Sequence, residues 1–124
     1  MSFNWSDYLI LAQNLVGKTS FPCQEAEFRS AISRAYYGAY CSTRNYLISK
    51  GYKIPKSSEA HRLVREKLAE RKDPISYRIE SNLDRLRRDR TNADYEDQFP
   101  GAPDKTAALD VFLAQRIIAD LAKI

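Results

Sequence analysis

The chain has 124 residues, 44% of them hydrophobic and 29% charged, with a formal net charge of +4, two cysteines and one histidine. This length supports one hydrophobic core, so we expect residues 1–124 to form a single domain. The cysteines and the histidine are too few for a zinc site. No apolar run could cross a bilayer and no signal-peptide pattern begins the chain, which predicts a cytoplasmic protein that does not act at a membrane. We expect no metal, because the cysteines and the histidine are few, and no cofactor, because the four glycines are isolated and form no phosphate loop.

Apolar residues at helical spacing, separated by Pro and Gly, predict five helices. The first covers about residues 4–17. The second begins at Pro22, a residue that favours the first turn of a helix, and it is closed by Gly51 after Lys50. Both helices carry apolar residues at intervals of three and four, as a helix packed on a core does.

The other three helices follow from their predicted caps. Ser57 or Ser58 caps the third helix, and Asp73 caps the fourth, whose first residue is Pro74. We place these helices at about residues 57–72, 74–95 and 104–123, with the loop "QFPGAPDK" before the last. The chain is therefore predicted to be an all-α, up-and-down bundle of about five helices.

The second helix is apolar on two opposite faces. One face carries Phe28, Ile32, Ala35, Tyr36, Ala39, Tyr46 and Leu47. The other carries Tyr37, Cys41 and Ile48, with Arg44 beside them. A helix of this kind must be covered twice, either by a second layer of helices or by another copy of the chain. If another copy covers the second face, then Tyr37, Cys41, Arg44 and Ile48 form the interface of a homodimer, and this is the interface that we predict.

The fourth helix carries four arginines between positions 85 and 90, and these divide into two groups around its apolar stripe. The stripe consists of Ile75, Ile79, Leu83, Leu86 and Ala93. Arg87, Arg90 and Asp94 lie together along one margin, which we call the basic seam. Arg78, Arg85, Arg88 and Asn92 are predicted to lie on the other flank, on open surface where charges contribute little. The simplest interpretation of Arg90 and Asp94 is an ion pair between positions i and i+4, worth a few tenths of a kcal/mol.

Three stretches together resemble the HEPN superfamily: "RSAISRAYYGAYCSTRNYL", "LDRLRRDRTNADY" and "ALDVFLAQRII". The resemblance covers residues 22 to 120 and implies a small all-α domain, usually dimeric, of a kind that includes many metal-independent RNases. The chain is most similar to small stand-alone HEPN proteins with an Ala- and Tyr-rich helix and an Arg-x-x-Ala-Asp-Tyr ending. Many of those are encoded beside minimal nucleotidyltransferases as toxin–antitoxin-like modules. The resemblance therefore implies a homodimer and a nucleotidyltransferase partner.

The catalytic signature of that family is an arginine followed four to six residues later by a histidine. Arg87, Arg88 and Arg90 are candidates for the arginine, but Asp94, followed by Tyr95, stands where the histidine is expected. The one histidine of the chain, His61, does not match the motif. We interpret it as an ordinary surface or packing residue at the start of the third helix.

Metal-independent RNA cleavage needs a general acid and base, and losing one typically lowers the rate by about 10²–10⁴. An aspartate beside arginines is ionised near neutral pH, so it cannot donate a proton. We therefore predict that the basic seam binds a nucleotide, RNA or the nucleotidyltransferase without strong catalysis. Arg90 and Asp94 are the candidate catalytic residues. Candidate binding residues are Arg87, Arg88, Asn92 and Tyr95.

Two alternatives remain open at this point. The first is a metal-independent RNase toxin in which Arg90 steadies the phosphate and Asp94 or Tyr95 transfers protons. The second is a structural helical dimer or adaptor whose arginines only solvate the surface. Tyr36, Tyr40 and Tyr46 are expected to pack in the core, whereas Tyr37 and Tyr95 are also candidates for stacking on nucleic-acid bases.

Overall fold

The computed structural model describes residues 2–17 and 24–124. Its helices are α1 (Asp7–Gly17), α2 (Gln24–Ser49), α3 (Ala60–Glu70), α4 (Pro74–Tyr95) and α5 (Pro103–Leu121). The described residues contain no strand, so the prediction of an all-α bundle of about five helices is confirmed. Across these two ranges, no helix combines the length and the apolar character that a membrane span requires.

The helix ends show which predicted caps form. Asp73 accepts a hydrogen bond from the backbone N–H of Ser76 at 2.8 Å, and Pro74 is the first residue of α4, as predicted. Gly51 follows α2 with a φ of 96°, which an L-residue with a side chain rarely adopts. The predicted start of α2 at Pro22 lies outside the described residues.

The predicted side-chain cap of α3 is wrong. The helix begins at Ala60, and Glu59 before it makes no capping hydrogen bond through its side chain. Ser57 contributes only its backbone carbonyl, which accepts from the N–H of Ala60 at 3.0 Å. A turn of backbone hydrogen bonds therefore replaces the serine hydroxyl at this helix start.

Helix α2 is the centre of the bundle and contacts each of the other four helices. Most of its predicted core face is buried, with Phe28 and Tyr46 only partly so. On the opposite face Cys41 is also buried, whereas Ile48 is 47% exposed. The chain therefore covers part of this second face itself, and the homodimer stays a prediction.

Helix α1 approaches α2 closely at Gly38. A Cβ atom at this position would lie 3.2 Å from the backbone N of Leu9 and 3.4 Å from the backbone O of Trp5. Only glycine lets the two backbones come this close without displacement. The contact fixes Trp5 and Tyr8 above the face of α2 that carries Tyr37, and this is the face on which the candidate site forms.

Arg78 lies on the outer flank of α4 with its side chain 39% exposed, but the prediction that its charge contributes little there is wrong. Its guanidinium group donates two hydrogen bonds, of 2.8 and 2.7 Å, to the carboxylate of Asp120 on α5. The side chain of Asp120 is fully buried. The periodicity of α4 identified the flank correctly but gave no indication that α5 covers it. This ion pair fastens α4 to α5.

Candidate functional site

A cavity of about 700 Å³ opens between the start of α1, α2, the segment before α3, and α4. Its aromatic walls are Trp5, Tyr8, Tyr37 and Tyr40, and its cationic side chains are Arg34, Arg44, Lys56 and Arg90. Asp94 is the one carboxylate among the described lining residues. We call this site the basic cavity. Its size lies in the range of sites that hold one small ligand.

Aromatic rings hold two of the arginines at the centre of the cavity. The guanidinium carbon of Arg34 lies 4.7 Å from the ring centre of Tyr8 and 5.3 Å from that of Tyr37. The guanidinium carbon of Arg90 lies 5.0 Å from the ring centre of Tyr37 and 5.5 Å from that of Tyr95. The ring of Tyr37 thus contacts both cations, and cation–π attraction fixes both.

Arg44 is held in the same way by two other rings of the cavity. Its guanidinium carbon lies 5.5 Å from the ring centre of Trp5 and 6.0 Å from that of Tyr40. Within the described residues, neither Arg34 nor Arg44 has a carboxylate within 4 Å. Rings rather than acidic side chains therefore orient these two arginines, so their charges are not neutralised.

Asp94 is the centre of a short polar network at the cavity edge. Its Oδ2 accepts a hydrogen bond from Ser33 Oγ at 3.3 Å, and Ser33 Oγ in turn accepts one from Arg34 at 3.2 Å. The Nε of Arg90 lies 2.9 Å from Oδ2 in an ion pair. That Nε is buried and poorly aligned, since it has no hydrogen-bond acceptor among the described residues. Arg90 therefore keeps unused donors.

His61 lines the cavity from the first turn of α3. Its ring stacks on Tyr40, with ring centres 4.1 Å apart and planes 9° from parallel. Its Nδ1 is hydrogen-bonded to the hydroxyl of Tyr36. Burial raises the pKa of Tyr36, so the hydroxyl of this tyrosine stays protonated. His61 is therefore a packing residue, as interpreted, but it also lines the cavity, which the sequence did not predict.

The charge state of His61 follows from its neighbours. Burial is the main cause that lowers the pKa of its imidazole, and Arg90, Arg65, Arg87 and Arg44 lower it further. The ring is therefore neutral at pH 7, with Nε2 as the nitrogen available to a ligand. Burial also raises the pKa of the Cys41 thiol, so this cysteine is not a reactive nucleophile.

The structure brings together only some of the candidate residues. Arg90 and Asp94 line the basic cavity, and so do Tyr37, Cys41 and Arg44, which were predicted as a dimer interface. The candidates that do not line it are Arg87, Arg88, Asn92, Tyr95 and Ile48.

Arg87 and Arg88, which lie outside the cavity, share Asp84 as a partner. The carboxylate of Asp84 lies 3.2 Å from Arg87 and 3.4 Å from Arg88. It also lies 3.4 Å from Arg65 of α3. Arg87 is thus turned toward α3, and the basic seam divides between this network and the cavity. Tyr95, 70% exposed at the end of α4, contributes only the ring beside Arg90.

Arg29 of α2 fixes the end of α4 where Asp94 and Tyr95 lie. It donates hydrogen bonds to the carbonyl oxygens of Ala93, Glu96 and Asp97, at 3.3, 2.5 and 3.2 Å. The last carbonyls of a helix have no partner within the helix, so an arginine that donates hydrogen bonds to carbonyls there holds the helix end in place. Arg29 is therefore a positioning residue for the cavity edge.

Sequence reasoning missed several residues of the cavity, of which Arg34 and His61 matter most. Arg34 precedes Tyr37 by three residues and Arg44 by ten, so helical periodicity places all three on one face and could have identified it. No comparable signal exists for His61, because its position depends on the path of residues 50–59 between α2 and α3.

The chemistry of the cavity is that of an anion site with aromatic walls. Guanidinium groups bind phosphate oxygens through paired hydrogen bonds, and aromatic rings stack on bases. Among residues 2–17 and 24–124, no cluster of three or more His, Cys, Asp or Glu side chains has a geometry suited to a metal ion.

Comparison with known proteins gives one match. The family model described as HEPN domain matches residues 18–124. No curated protein and no solved structure matches the chain.

Proposed function

Because the chain belongs to the HEPN domain family, we propose that it binds a nucleotide or single-stranded RNA in its basic cavity. The observation that supports this most directly is the set of three ring-held arginines, Arg34, Arg44 and Arg90, around one cavity with a single carboxylate. A cavity with such an excess of positive charge is stabilised by an anion.

Nucleotides and RNA match both the cationic side chains and the aromatic walls of the cavity. Their phosphates suit the guanidinium donors, and their bases have flat faces that suit Trp5 and the cavity tyrosines. An acidic protein segment would use the arginines but would leave the aromatic walls without a matching partner. Nucleic acid is therefore the ligand class that uses most of the site.

Gel retardation of end-labelled mixed RNA in EDTA tests this proposal. The Arg90→Ala variant is expected to bind at least about tenfold more weakly, because a charge-assisted hydrogen bond contributes that much to affinity. Arg88→Ala is the matched control, since it removes the same charge from the same helix outside the cavity. Equal affinity of both variants, or no retardation of the wild type, would contradict the proposal.

His61 also favours a second candidate, metal-independent RNA cleavage. A neutral imidazole can take the proton of a 2′-hydroxyl at Nε2 when its own proton is on Nδ1, in the tautomer that donates to the hydroxyl oxygen of Tyr36. Asp94 is held in the ion pair with Arg90 instead. Tyr95 is too exposed to be placed precisely. The same gels show whether shorter RNA products appear in EDTA. Cleavage that survives in His61→Gln would remove this candidate.

We also propose, from the family likeness of α2 and α4, that the chain acts as a homodimer and with a minimal nucleotidyltransferase in a toxin–antitoxin-like module. Cys41 is already buried within the chain, whereas Ile48 is exposed and Tyr37 and Arg44 are partly exposed, so these three predicted interface residues remain open to a second copy. Sedimentation equilibrium tests the dimer, and co-purification with a nucleotidyltransferase from the neighbouring gene tests the partner. A monomer that retains no such enzyme would contradict both.

A further inference from the structure

We infer that the basic cavity recognises the terminal phosphate of a nucleotide or of an RNA end, in preference to the phosphodiesters inside an RNA strand. This inference rests on the proposed function and specifies the ligand group at the same site. It follows from the charge of the cavity, the number of unused donors and the position of His61.

The charge of the cavity favours a terminal phosphate. Four cationic side chains line the cavity against one carboxylate, Asp94, and that carboxylate is already paired with Arg90. A phosphodiester carries one negative charge, whereas a terminal phosphate carries about 1.5 to 2 near pH 7. The more highly charged group compensates more of the excess that Arg34, Arg44 and Lys56 leave in the cavity.

The cavity also has many unused hydrogen-bond donors. Among the described residues, Arg34 donates only to Ser33, and Arg44 donates only to Asn45. Arg90 donates no hydrogen bond to a described residue, and each guanidinium group has five N–H donors. A terminal phosphate offers three non-bridging oxygens to such donors, and an internal phosphodiester offers two.

The shape of the site also favours the end of a chain. Arg34 and Arg90 both contact the ring of Tyr37, and both reach the short Ser33–Asp94 network, so their guanidinium groups lie in the same part of the cavity. Proteins that follow an RNA strand without reading its ends arrange their cations along a groove instead. Converging cations in a cavity for one small ligand suit the end of a chain.

His61 supplies a donor of a different kind. Its Nδ1 is bonded to the buried hydroxyl of Tyr36, which can donate to it and so leave the proton on Nε2. In that tautomer Nε2–H is a neutral donor beside Arg90 and Arg44. A neutral donor adds a hydrogen bond to phosphate without adding repulsion between cations.

The test is a competition assay against an internally labelled RNA, with three oligoribonucleotides of one sequence. One has a 5′-phosphate, one a 3′-phosphate, and one hydroxyls at both ends. We expect at least one phosphorylated form to bind about tenfold more tightly than the hydroxyl form, as an added charge-assisted hydrogen bond gives. Preference for one end alone supports the inference and identifies that end.

Matched variants locate the effect. Arg34→Ala and Arg90→Ala are expected to reduce the preference for phosphorylated ends, whereas Arg88→Ala keeps it; circular dichroism confirms that each variant is folded. Equal binding of all three RNAs by the wild type overturns the inference and leaves the proposed function standing. No binding of any RNA, nor of adenosine 5′-monophosphate, overturns both.

Discussion

Replacing Arg78 with alanine is expected to lower the midpoint of thermal unfolding by about 10 °C, because the buried Asp120 carboxylate then loses its bidentate partner. Arg116 and Lys123 lie 3.9 and 3.6 Å from the same carboxylate, too far to replace two hydrogen bonds. The cost arises from the charge left behind, since Arg78 itself is partly exposed.

Arg88→Ala is the control for this experiment. Arg88 also lies on α4 and also pairs with a carboxylate, but its side chain is 63% exposed. Exposed ion pairs contribute little, so a midpoint shift of less than about 2 °C is expected. If Arg78→Ala were as mild as Arg88→Ala, the α4–α5 ion pair would not be a main support of the fold.

The pH dependence of the Arg78–Asp120 pair has a definite sign. Hydrogen bonds from Arg78 are the main cause that lowers the pKa of Asp120 in the folded chain. Stability from this pair is therefore present above the ordinary aspartate pKa of 3.8 and is lost as the pH falls below it. Near neutral pH the pair contributes fully.

Asp110→Asn is expected to flatten the pH dependence of stability between pH 7 and 8.5. Asp110 of α5 is fully buried, and neither carboxylate oxygen has a hydrogen-bond partner within the described residues. Burial, with a further contribution from Asp89 beside it on α4, raises the pKa of Asp110 to about 9. The folded chain therefore holds a proton at this site that the unfolded chain releases near pH 4.

The sign of the effect follows from proton counting. Between these two pKa values the folded state binds more protons, so the free energy of unfolding falls as pH rises, by at most about 1.4 kcal/mol per pH unit. Urea unfolding at several pH values measures the slope, and Asp104→Asn in the exposed first turn of α5 is the control. A wild-type slope that persists in Asp110→Asn would contradict the assignment.

Local chemistry predicted most of the fold. The cap formed by Asp73 and the close of α2 at Gly51 depend on residues next to each other in sequence, and both form as expected. Contacts between distant segments could not be predicted from the sequence. Periodicity placed Arg78 on a flank of α4, but the cover of that flank by Asp120 depends on how α5 docks.

The same division applies to the candidate site. Periodicity and family resemblance singled out Arg90 and Asp94, and periodicity could have added Arg34 from the face of α2 that carries Tyr37. Arg87 and Arg88 were also predicted to bind, but they lie outside the cavity. Asp84, three and four residues before them, pairs with both. That spacing is visible in the sequence and favours ion pairs within the helix.

The fluorescence of Trp5, the single tryptophan of the chain, tests most directly whether the basic cavity is the binding site. Trp5 lines the cavity, and its ring centre lies 5.5 Å from the guanidinium carbon of Arg44. A nucleotide or RNA bound there is expected to change the emission saturably, with a weaker response in Arg90→Ala and an unchanged one in Arg88→Ala. RNA binding in gels with no change in Trp5 emission would contradict the account.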